Sequence, residues 1–232
     1  MKSSFEFQPT NPFSTSFIAP SQVVYRFSHG ANATNPHNVD AQLESLLAKL
    51  KSTRRAVIVG PHGTGKSTLL HTFLPKLQRS YPQVAFHQLS NDPSMSLGKR
   101  LADRFRAGKR IRQRLLELPQ DGLLVVDGWE QMTHVSRLRV ARTASNRKLT
   151  LLATCHYRMP GWTVLHETRA NPKLIRSLAD DLLSDSPYEL RKMIDGHLKD
   201  RRLTPTTNVR ELWFEMYDMV EDAHTHELKF HG

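Results

Sequence analysis

Eight consecutive residues, Gly60 to Ser67, constrain the fold of this chain more than any other feature. They read GPHGTGKS, which fits the pattern GxxxxGK[ST], and they lie between the apolar run AVIV at 56–59 and the segment Thr68-Leu69-Leu70. Glycines let the backbone curl so that successive N–H groups point at a polyphosphate with no Cβ in the way. A strand, this loop and a helix in that order predict a site for a nucleoside triphosphate.

Each part of this segment has an expected role. Lys66 is expected to reach the β and γ phosphates and to take part in catalysis, and the Ser67 hydroxyl to ligate Mg²⁺. The helix that opens at the loop turns the positive end of its dipole toward the anion. The alternative, a chance glycine-rich turn, is disfavoured because strand, loop and helix are all present. The predicted nucleotide-binding residues are Gly60, Pro61, His62, Gly63, Thr64, Gly65, Lys66, Ser67 and Thr68.

Length and composition limit what the rest of the chain can be. At 232 residues, of which 38% are hydrophobic, it can bury one sizeable core and a small appendage. The single Cys155 excludes an internal disulfide framework, and the sequence lacks the pattern of a signal peptide or a membrane span. We therefore expect a soluble, cytoplasmic protein without membrane contact. The formal net charge of +11 favours a polyanionic partner.

The positive charge is concentrated in residues 99–148, which hold 13 Lys or Arg against 5 Asp or Glu. Its densest part, segment 99–114, is predicted to be an amphipathic helix with a basic outer face, interrupted at Gly108. Such a face could bind nucleic acid or an acidic protein. The alternative is a solvated helix face, because no Phe or Tyr is predicted on the basic side as a base-stacking platform. The predicted apolar face holds Leu97, Leu101, Phe105, Ile111 and Leu115.

Strand and helix patterns alternate along most of the chain. Residues 1–40 are predicted to be an extended N-terminal segment, 41–168 the core that contains the phosphate loop, and 169–232 a helical lid and tail. Near-continuous apolar strands predict an α/β fold, a three-layer sandwich with a parallel sheet and a small C-terminal helical lid. Strands are predicted at 54–59, 83–89, 123–127, 149–154 and 162–166. Apart from the basic segment, helices are predicted at 39–50, 66–78, 130–140, 172–183, 187–199 and 209–222.

Two acids follow the third predicted strand. Asp127 ends the run LLVVD at a strand's carboxyl end, where ligands of open α/β sheets lie and where a carboxylate can hold Mg²⁺. Hydrolysis also needs a carboxylate that polarises the attacking water, and Glu130 is the candidate. The alternatives are a helix cap or turn residue for Asp127 and a helix-starting acid for Glu130.

The segment Asp127-Gly128-Trp129-Glu130-Gln131 resembles the DGhDE-type second motif of STAND-class signalling ATPases. Glu130 holds the position of that motif's second acid, and Gln131 stands where another Glu is common. Most AAA+ proteins place the Glu directly after the Asp, where this chain has Gly128. Together with the phosphate loop, this segment makes the chain similar to the AAA+ and STAND branch of P-loop NTPases over roughly residues 40–220.

Two further segments extend the resemblance. LLATCH at 151–156 looks like the strand that ends in the family's first sensor, with His156 where AAA+ proteins usually carry Asn. Asn208-Val209-Arg210-Glu211 is similar to the GNxR signature of the second sensor, whose Arg, here Arg210, reaches from the lid to the nucleotide. Thr207 replaces the usual Gly. The alternatives are a His that caps the strand end and an Arg on the lid surface.

The N-terminal Asn11-Pro12-Phe13 resembles the NPF box that flanks the adenine in some AAA-type transposition and secretion ATPases. The whole resemblance implies Mg-dependent ATP binding and hydrolysis, with the nucleotide state coupled to lid movement or partner binding. An arginine finger from a neighbouring subunit would imply a homo-oligomer, but the sequence singles out no Arg for that role. The implied catalytic residues are Lys66, Glu130, His156 and Arg210, and the implied metal ligands are Ser67 and Asp127.

Other functions remain as alternatives at the level of sequence. An ATP-switched nucleic-acid-binding protein would use the basic segment, and a small-molecule kinase would use the same phosphate loop. A GTPase and an ABC transporter subunit are disfavoured, because the sequence contains neither an NKxD-type guanine motif nor an LSGGQ signature.

Overall fold

Five parallel strands form one sheet in the computed structural model, which describes residues 11–27, 36–89 and 96–230. The spatial order is β2-β3-β4-β1-β5, and each neighbouring pair is parallel. Because β4 lies between β1 and β3, the carboxyl ends of these three strands meet at one edge of the sheet. The strands are β1 Arg55–Val59, β2 Val84–Gln88, β3 Leu123–Asp127, β4 Thr150–Cys155 and β5 Thr163–Glu167.

Within the described residues, eight α-helices surround and follow the sheet. Helices α2 and α3 cover one face, α4 and α5 cover the other, and α6 to α8 follow the last strand. This confirms the predicted three-layer α/β sandwich with a C-terminal group of helices. The helices are α1 Thr15–Ile18, α2 Pro36–Thr53, α3 Lys66–Ser80, α4 Leu97–Glu117, α5 His134–Asn146, α6 Pro172–Leu182, α7 Tyr188–Asp200 and α8 Val209–Phe230.

Separate apolar cores hold the helices on the two faces of the sheet. On one face, Leu50 of α2 and Phe73 of α3 pack in the same buried cluster as Ile58 of β1. On the other face, Ile111 of α4 and Val140 of α5 are buried with residues of β1, β3 and β4. Burying each such side chain contributes about 1.5–3 kcal/mol. The sheet edge that carries the loop is therefore fixed from both sides.

The C-terminal helices have a core of their own. Ile175 of α6, Ile194 of α7 and Met216 of α8 are buried in one cluster, which also contains Phe13 from the N-terminal segment. None of the described helices combines the length and the apolar character that crossing a membrane requires. The lid is thus a small packed unit rather than loose helices on the sheet.

The predicted interruption at Gly108 is wrong, because α4 runs through it without a break. A Cβ on Gly108 would lie 2.4 Å from both Cβ and Oγ of Ser136 in α5. Close packing of α4 against α5 therefore requires a glycine here. The helix continues through it, although glycine is a poor helix former.

A second difference concerns the exposed face of α4. Leu101 and Phe105, which were predicted to be buried, are 53% and 48% exposed. Ile111 and Leu115 are buried as predicted, and Ala107 lies on the buried side with them. The basic surface of α4 therefore carries an accessible aromatic ring.

The segment after Asp127 also differs from its predicted helix at 130–140. Trp129–Gln131 forms a short 3₁₀ turn, Met132 is extended, and α5 begins only at His134. The cap of α5 is Thr133, whose side chain accepts a hydrogen bond from the backbone N–H of Ser136.

In the predicted extended segment 1–40, Thr15–Ile18 forms one helical turn and α2 begins at Pro36. The parts of that prediction at 1–10 and 28–35 lie outside the described residues.

Candidate nucleotide site

The phosphate loop connects β1 to α3, and hydrogen bonds fasten it to the end of β5. The Thr64 hydroxyl donates to the Pro61 carbonyl at 2.9 Å and lies 2.7 Å from the Thr168 hydroxyl. Thr168 is fully buried, and its backbone N–H donates to the Val59 carbonyl at 2.8 Å. The role of Thr168 was not predicted, because the sequence shows only a polar residue just after an apolar strand.

Lys66 is buried within the loop at the start of α3, with 8% of its surface exposed. Its Nζ donates to the carbonyl oxygens of Gly60 at 2.7 Å and Pro61 at 2.6 Å. Burial lowers the pKa of Lys66, and the carboxylates of Glu130 and Asp127 oppose that shift. The ammonium group is thus held where the loop encloses it, by weak partners that an anion can replace.

His156, at the end of β4, joins Lys66 to Glu130. Its Nε2 lies 3.0 Å from Glu130 Oε1, and its Nδ1 lies 3.2 Å from Lys66 Nζ. Since a carboxylate only accepts and an ammonium only donates, the neutral ring with its proton on Nε2 satisfies both neighbours. Burial and the charge of Lys66 lower the pKa of His156, which favours this neutral form. The ring of His62 lies against that of His156, with centroids 3.6 Å apart and planes tilted by 34°.

Glu130 lies in the 3₁₀ turn after β3, and its side chain is only 16% exposed. Oε1 receives the hydrogen bond from His156, whereas Oε2 is buried and has no hydrogen-bond partner among the described residues. A buried carboxylate oxygen without a partner is costly, and sites that receive a ligand or a water commonly contain one. Glu130 is therefore oriented by His156 and retains one acceptor.

Asp127 ends β3 and is held by a threonine of the neighbouring strand. The Thr154 hydroxyl donates to Asp127 Oδ1 at 2.6 Å and accepts from the backbone N–H of Gly128 at 2.8 Å. Asp127 is 5% exposed, and it is Thr133, not Asp127, that caps the following helix. Sequence analysis missed Thr154, whose signal is a polar residue near the end of an otherwise apolar strand. Its hydrogen bonds fix the carboxylate of Asp127.

The lid meets the phosphate loop at Gly63. Gly63 has φ +67°, and a Cβ at this position would lie 1.7 Å from Asn208 Oδ1 and 3.1 Å from the backbone nitrogen of Arg210. Asn208 Oδ1 is itself buried without a hydrogen-bond partner in the described structure. The segment that resembles the second sensor is therefore packed directly on the loop, and Arg210 lies beside it with an exposed side chain.

Gly63→Ala is expected to lower the free energy of unfolding by about 2–4 kcal/mol and to weaken nucleotide binding. The methyl group meets Asn208, and alanine is strained at a left-handed φ. Thermal melting with and without Mg·ATP measures both effects. Gly196→Ala is the control, because a Cβ there meets nothing within 4 Å.

Adding Asn208→Ala to Gly63→Ala separates the two causes. It should recover the part of the loss that comes from the clash and leave the part that comes from backbone strain. A single Gly63→Ala variant as stable as the control contradicts this account of the lid contact.

A cleft of about 310 Å³ continues from the phosphate loop toward the lid. Residues 63–68 of the loop line one end of it, beside the first turn of α8 and the N-terminal segment. The rest of its wall is mostly apolar and comes from the N-terminal segment, α6 and α8. These apolar residues include Ile18, Val24, Leu174, Leu178, Trp213 and Phe214.

The beginning of the N-terminal segment is attached to the lid. Asn11 Nδ2 donates to the carbonyl oxygen of Tyr217 at 3.0 Å and to Glu221 Oε1 at 2.8 Å, both in α8. Phe13 is fully buried and stacks on Trp213 with ring centroids 5.7 Å apart. The NPF-like residues are thus an anchor on the lid next to the cleft.

The end of the same segment is attached mainly to the core. The Tyr25 backbone N–H donates to Thr72 Oγ1 at 2.9 Å, and the Tyr25 hydroxyl lies 3.0 Å from His166 Nε2. Burial raises the pKa of the Tyr25 hydroxyl, which therefore stays protonated. Arg26 pairs with Asp181 of α6 at 2.5 Å. Tyr25 was not singled out by sequence analysis, because no local pattern marks it.

The sheet order, the phosphate loop and the buried acid beside it define the class of this protein, a P-loop NTPase of the AAA+ and STAND branch. The NACHT domain model matches residues 54–199, and the chain therefore belongs to the NACHT family of STAND P-loop NTPases. Membership in this family implies nucleotide binding and hydrolysis. No curated protein sequence matches the chain.

Several solved structures of AAA+ ATPases are similar to this one. RuvB of Thermotoga maritima is 16% identical with a TM-score of 0.50, covering 82% of this chain and 64% of its own, and this likeness shows the fold. DnaA bound to AMPPCP and single-stranded DNA is 18% identical with a TM-score of 0.47, and the match covers 88% of this chain and 67% of DnaA. PCH-2 of C. elegans is 14% identical with a TM-score of 0.41, and the match covers 73% of this chain and 50% of PCH-2. The chain therefore spans half to two thirds of the length of these proteins.

Proposed function

We propose that this chain is a Mg-dependent ATPase in which the nucleotide state is coupled to the position of the lid. The observation that carries the proposal is the convergence of groups from four separate parts of the chain on one phosphate loop. Lys66 comes from α3, Glu130 from the turn after β3, His156 from the end of β4, and Asn208 from the lid.

The triphosphate tail is held by the loop backbone and by Lys66. In the structure Lys66 is bonded to two loop carbonyls, which are neutral partners. Phosphate oxygens are stronger acceptors for an ammonium because the hydrogen bond is then charge-assisted on both sides. Nucleotide binding therefore draws Lys66 from the carbonyls of Gly60 and Pro61 to the phosphates, and frees Nδ1 of His156.

Ser67 and Asp127 would hold the Mg²⁺. A hydroxyl and a carboxylate oxygen are the ligand types that Mg²⁺ prefers, and this ion usually keeps several waters and takes substrate phosphates as further ligands. The residues fit that donor set, since Asp127 Oδ1 is bonded to Thr154 while Oδ2 makes no hydrogen bond within the described residues. The ion would neutralise charge on the phosphates.

Glu130 is the group that activates the attacking water. Its buried Oε2 has no partner in the described structure and can accept a proton from a water, while His156 fixes the other oxygen. The chain Lys66–His156–Glu130 links this carboxylate to the phosphate site. His156 thereby acts as a positioning residue for Glu130. Its contact with Lys66 changes when Lys66 binds the phosphates.

The lid closes the site from the opposite side. Asn208 touches Gly63, and Arg210, whose exposed side chain lines the cleft, can reach a phosphate oxygen. We take residues 41–168 as the ATPase core and 169–232 as the lid and tail. The apolar part of the cleft suits a purine base, which binds through apolar and aromatic contact.

The test is phosphate release from Mg·ATP by the full chain with no acceptor added. We expect steady turnover, abolished by EDTA because the metal is then removed. A small-molecule kinase, which uses the same loop, would release no phosphate without its acceptor. Binding of Mg·ATP without any phosphate release would therefore overturn the assignment of hydrolysis.

A further inference from the structure

A groove lies between α4 and α5, on the sheet face opposite α2 and α3. Its floor is the close contact between Gly108 and Ser136, and its volume is about 540 Å³. Phe105 and Leu116 of α4 form its apolar wall, and both are 48% exposed. We name this feature the α4–α5 groove.

The residues that line the α4–α5 groove include four cations and no acid. Three of them, Lys109, Arg112 and Arg139, are exposed and form no salt bridge within the described part of the chain. The fourth, Arg106, pairs with Asp103. Residues 134–148, which include all of α5, contain five Lys or Arg and no Asp or Glu. Among the described residues, the lining of the groove therefore carries positive charge that no acid of the lining balances.

The side chains follow one another along a single stripe of α4. Phe105, Lys109, Arg112 and Leu116 occupy positions i, i+4, i+7 and i+11, which face the same side of a helix. At 1.5 Å per residue the stripe is about 16 Å long. An exposed ring next to a row of cations is the combination that binds single strands, because the ring stacks on a base and the cations follow the phosphates.

We propose that the α4–α5 groove binds the phosphodiester backbone of a nucleic acid, with a base of a single strand stacked on Phe105. An acidic polypeptide also complements positive charge, but the carboxylates that would pair with the cations offer no flat ring to Phe105, whereas every nucleotide carries a base beside its phosphate. Three of the four cations are arginines, whose planar forks bind phosphate oxygens in pairs. The proposal does not depend on ATP hydrolysis, since the groove lies outside the nucleotide cleft.

The groove also has a physical connection to the nucleotide site. Helix α5 follows the turn that carries Glu130. Arg137 in its first turn donates from Nε to the Met132 carbonyl at 3.1 Å and from Nη1 to the Tyr157 hydroxyl at 2.6 Å. A strand bound in the groove therefore contacts a helix tied to both the second motif and the segment after His156.

The experiment measures the fluorescence anisotropy of a labelled 20-nucleotide single strand and of the matching duplex. The full chain is added to each in the absence of ATP. With about three phosphate contacts, single-strand affinity should fall about 20-fold between 50 and 200 mM salt. The variant Lys109→Glu, Arg112→Glu, Arg139→Glu should bind at least tenfold more weakly at 50 mM salt. Phe105→Ala should weaken single-strand binding about tenfold.

The matched control is Lys51→Glu, Arg79→Glu, Arg202→Glu, which removes three exposed cations that do not line the groove. Both triple variants lower the net charge equally, and unchanged thermal melting shows that both are folded. Binding lost in the groove variant and kept in the control supports the proposal. Duplex binding should not change in Phe105→Ala, because paired bases are not free to stack on the ring.

Three results overturn the proposal. The first is no binding of either oligonucleotide at 50 mM salt. The second is an equal loss in the control variant, because net charge alone then explains binding. The third is displacement of the oligonucleotide by polyglutamate at equal charge concentration, because the groove then prefers an acidic polypeptide.

Discussion

Lys66→Ala is expected to abolish ATP turnover and to weaken Mg·ATP binding at least about 30-fold. Lys66 is the buried cation that the loop encloses, and its truncation removes a charge-assisted hydrogen bond to the triphosphate. Losing one partner of such a buried charged pair costs about 2–5 kcal/mol. Phosphate release measures the turnover, and isothermal calorimetry measures the affinity.

The control for this variant is Lys51→Ala, which removes an exposed lysine that has no salt bridge in the described structure. Lys66→Ala also leaves the carbonyls of Gly60 and Pro61 without their donor, so its melting temperature must be recorded. If a folded Lys66→Ala chain binds Mg·ATP as tightly as the wild type, the site is not the one described.

Glu130→Gln is expected to slow turnover by about 100- to 1,000-fold while ATP affinity changes little. Glutamine has the same shape and can still accept the hydrogen bond from His156 Nε2. It cannot take a proton, however, and general-base catalysis contributes about 10²- to 10⁴-fold. The measurement is the rate of phosphate release at saturating Mg·ATP, with the affinity measured separately.

Glu117→Gln is the matched control, because it removes a carboxylate from an exposed pair with Arg114 at the end of α4. Exposed pairs of this kind contribute at most about 1 kcal/mol, so turnover should not change. A Glu130→Gln variant with the wild-type rate removes Glu130 from the mechanism and leaves it only the structural role of a partner for His156.

The strands and the C-terminal helices were predictable because their signals are local. The run Leu123 to Asp127 has the observed bounds of β3, and the predicted helix 187–199 differs from α7 by one residue at each end. A buried strand is apolar whatever its neighbours are, so its pattern survives in the sequence. The order of the strands has no such signal, since it is set by packing between distant segments.

The misjudged parts of the fold depend on tertiary contacts. Gly108 is a helix breaker by propensity, yet it lies inside α4 because Ser136 leaves no room for a side chain. Phe105 fits the helical period of a buried face, but the described residues leave it 48% exposed. Periodicity identifies a helix and says less about which side the rest of the protein covers.

The candidate site likewise has a part that a local motif predicts and a part that depends on contacts between distant segments. The nine residues from Gly60 to Thr68 are contiguous, so the motif predicted them together. The resemblance brought Glu130, His156 and Arg210 into consideration, but only the structure places Glu130 next to His156 and Asn208 against Gly63. Their roles remain predictions that the variants test.

Thr154 and Thr168 could not be recognised in advance for a different reason. Each acts through one hydroxyl on a neighbouring segment, 27 residues away for Asp127 and 104 for Thr64. A single threonine after apolar residues is too common to indicate such a contact.

The two attachments of the N-terminal segment have a mechanical consequence. The lid is joined to the core once through the main chain after Thr168, and a second time through a strap whose ends are Asn11 on α8 and Tyr25 on α3. A rigid unit that is attached at two separate points rotates most easily about the axis that joins them. We therefore expect the lid to rotate most readily about the line through these two attachments, and we expect loss of the strap to remove that preference.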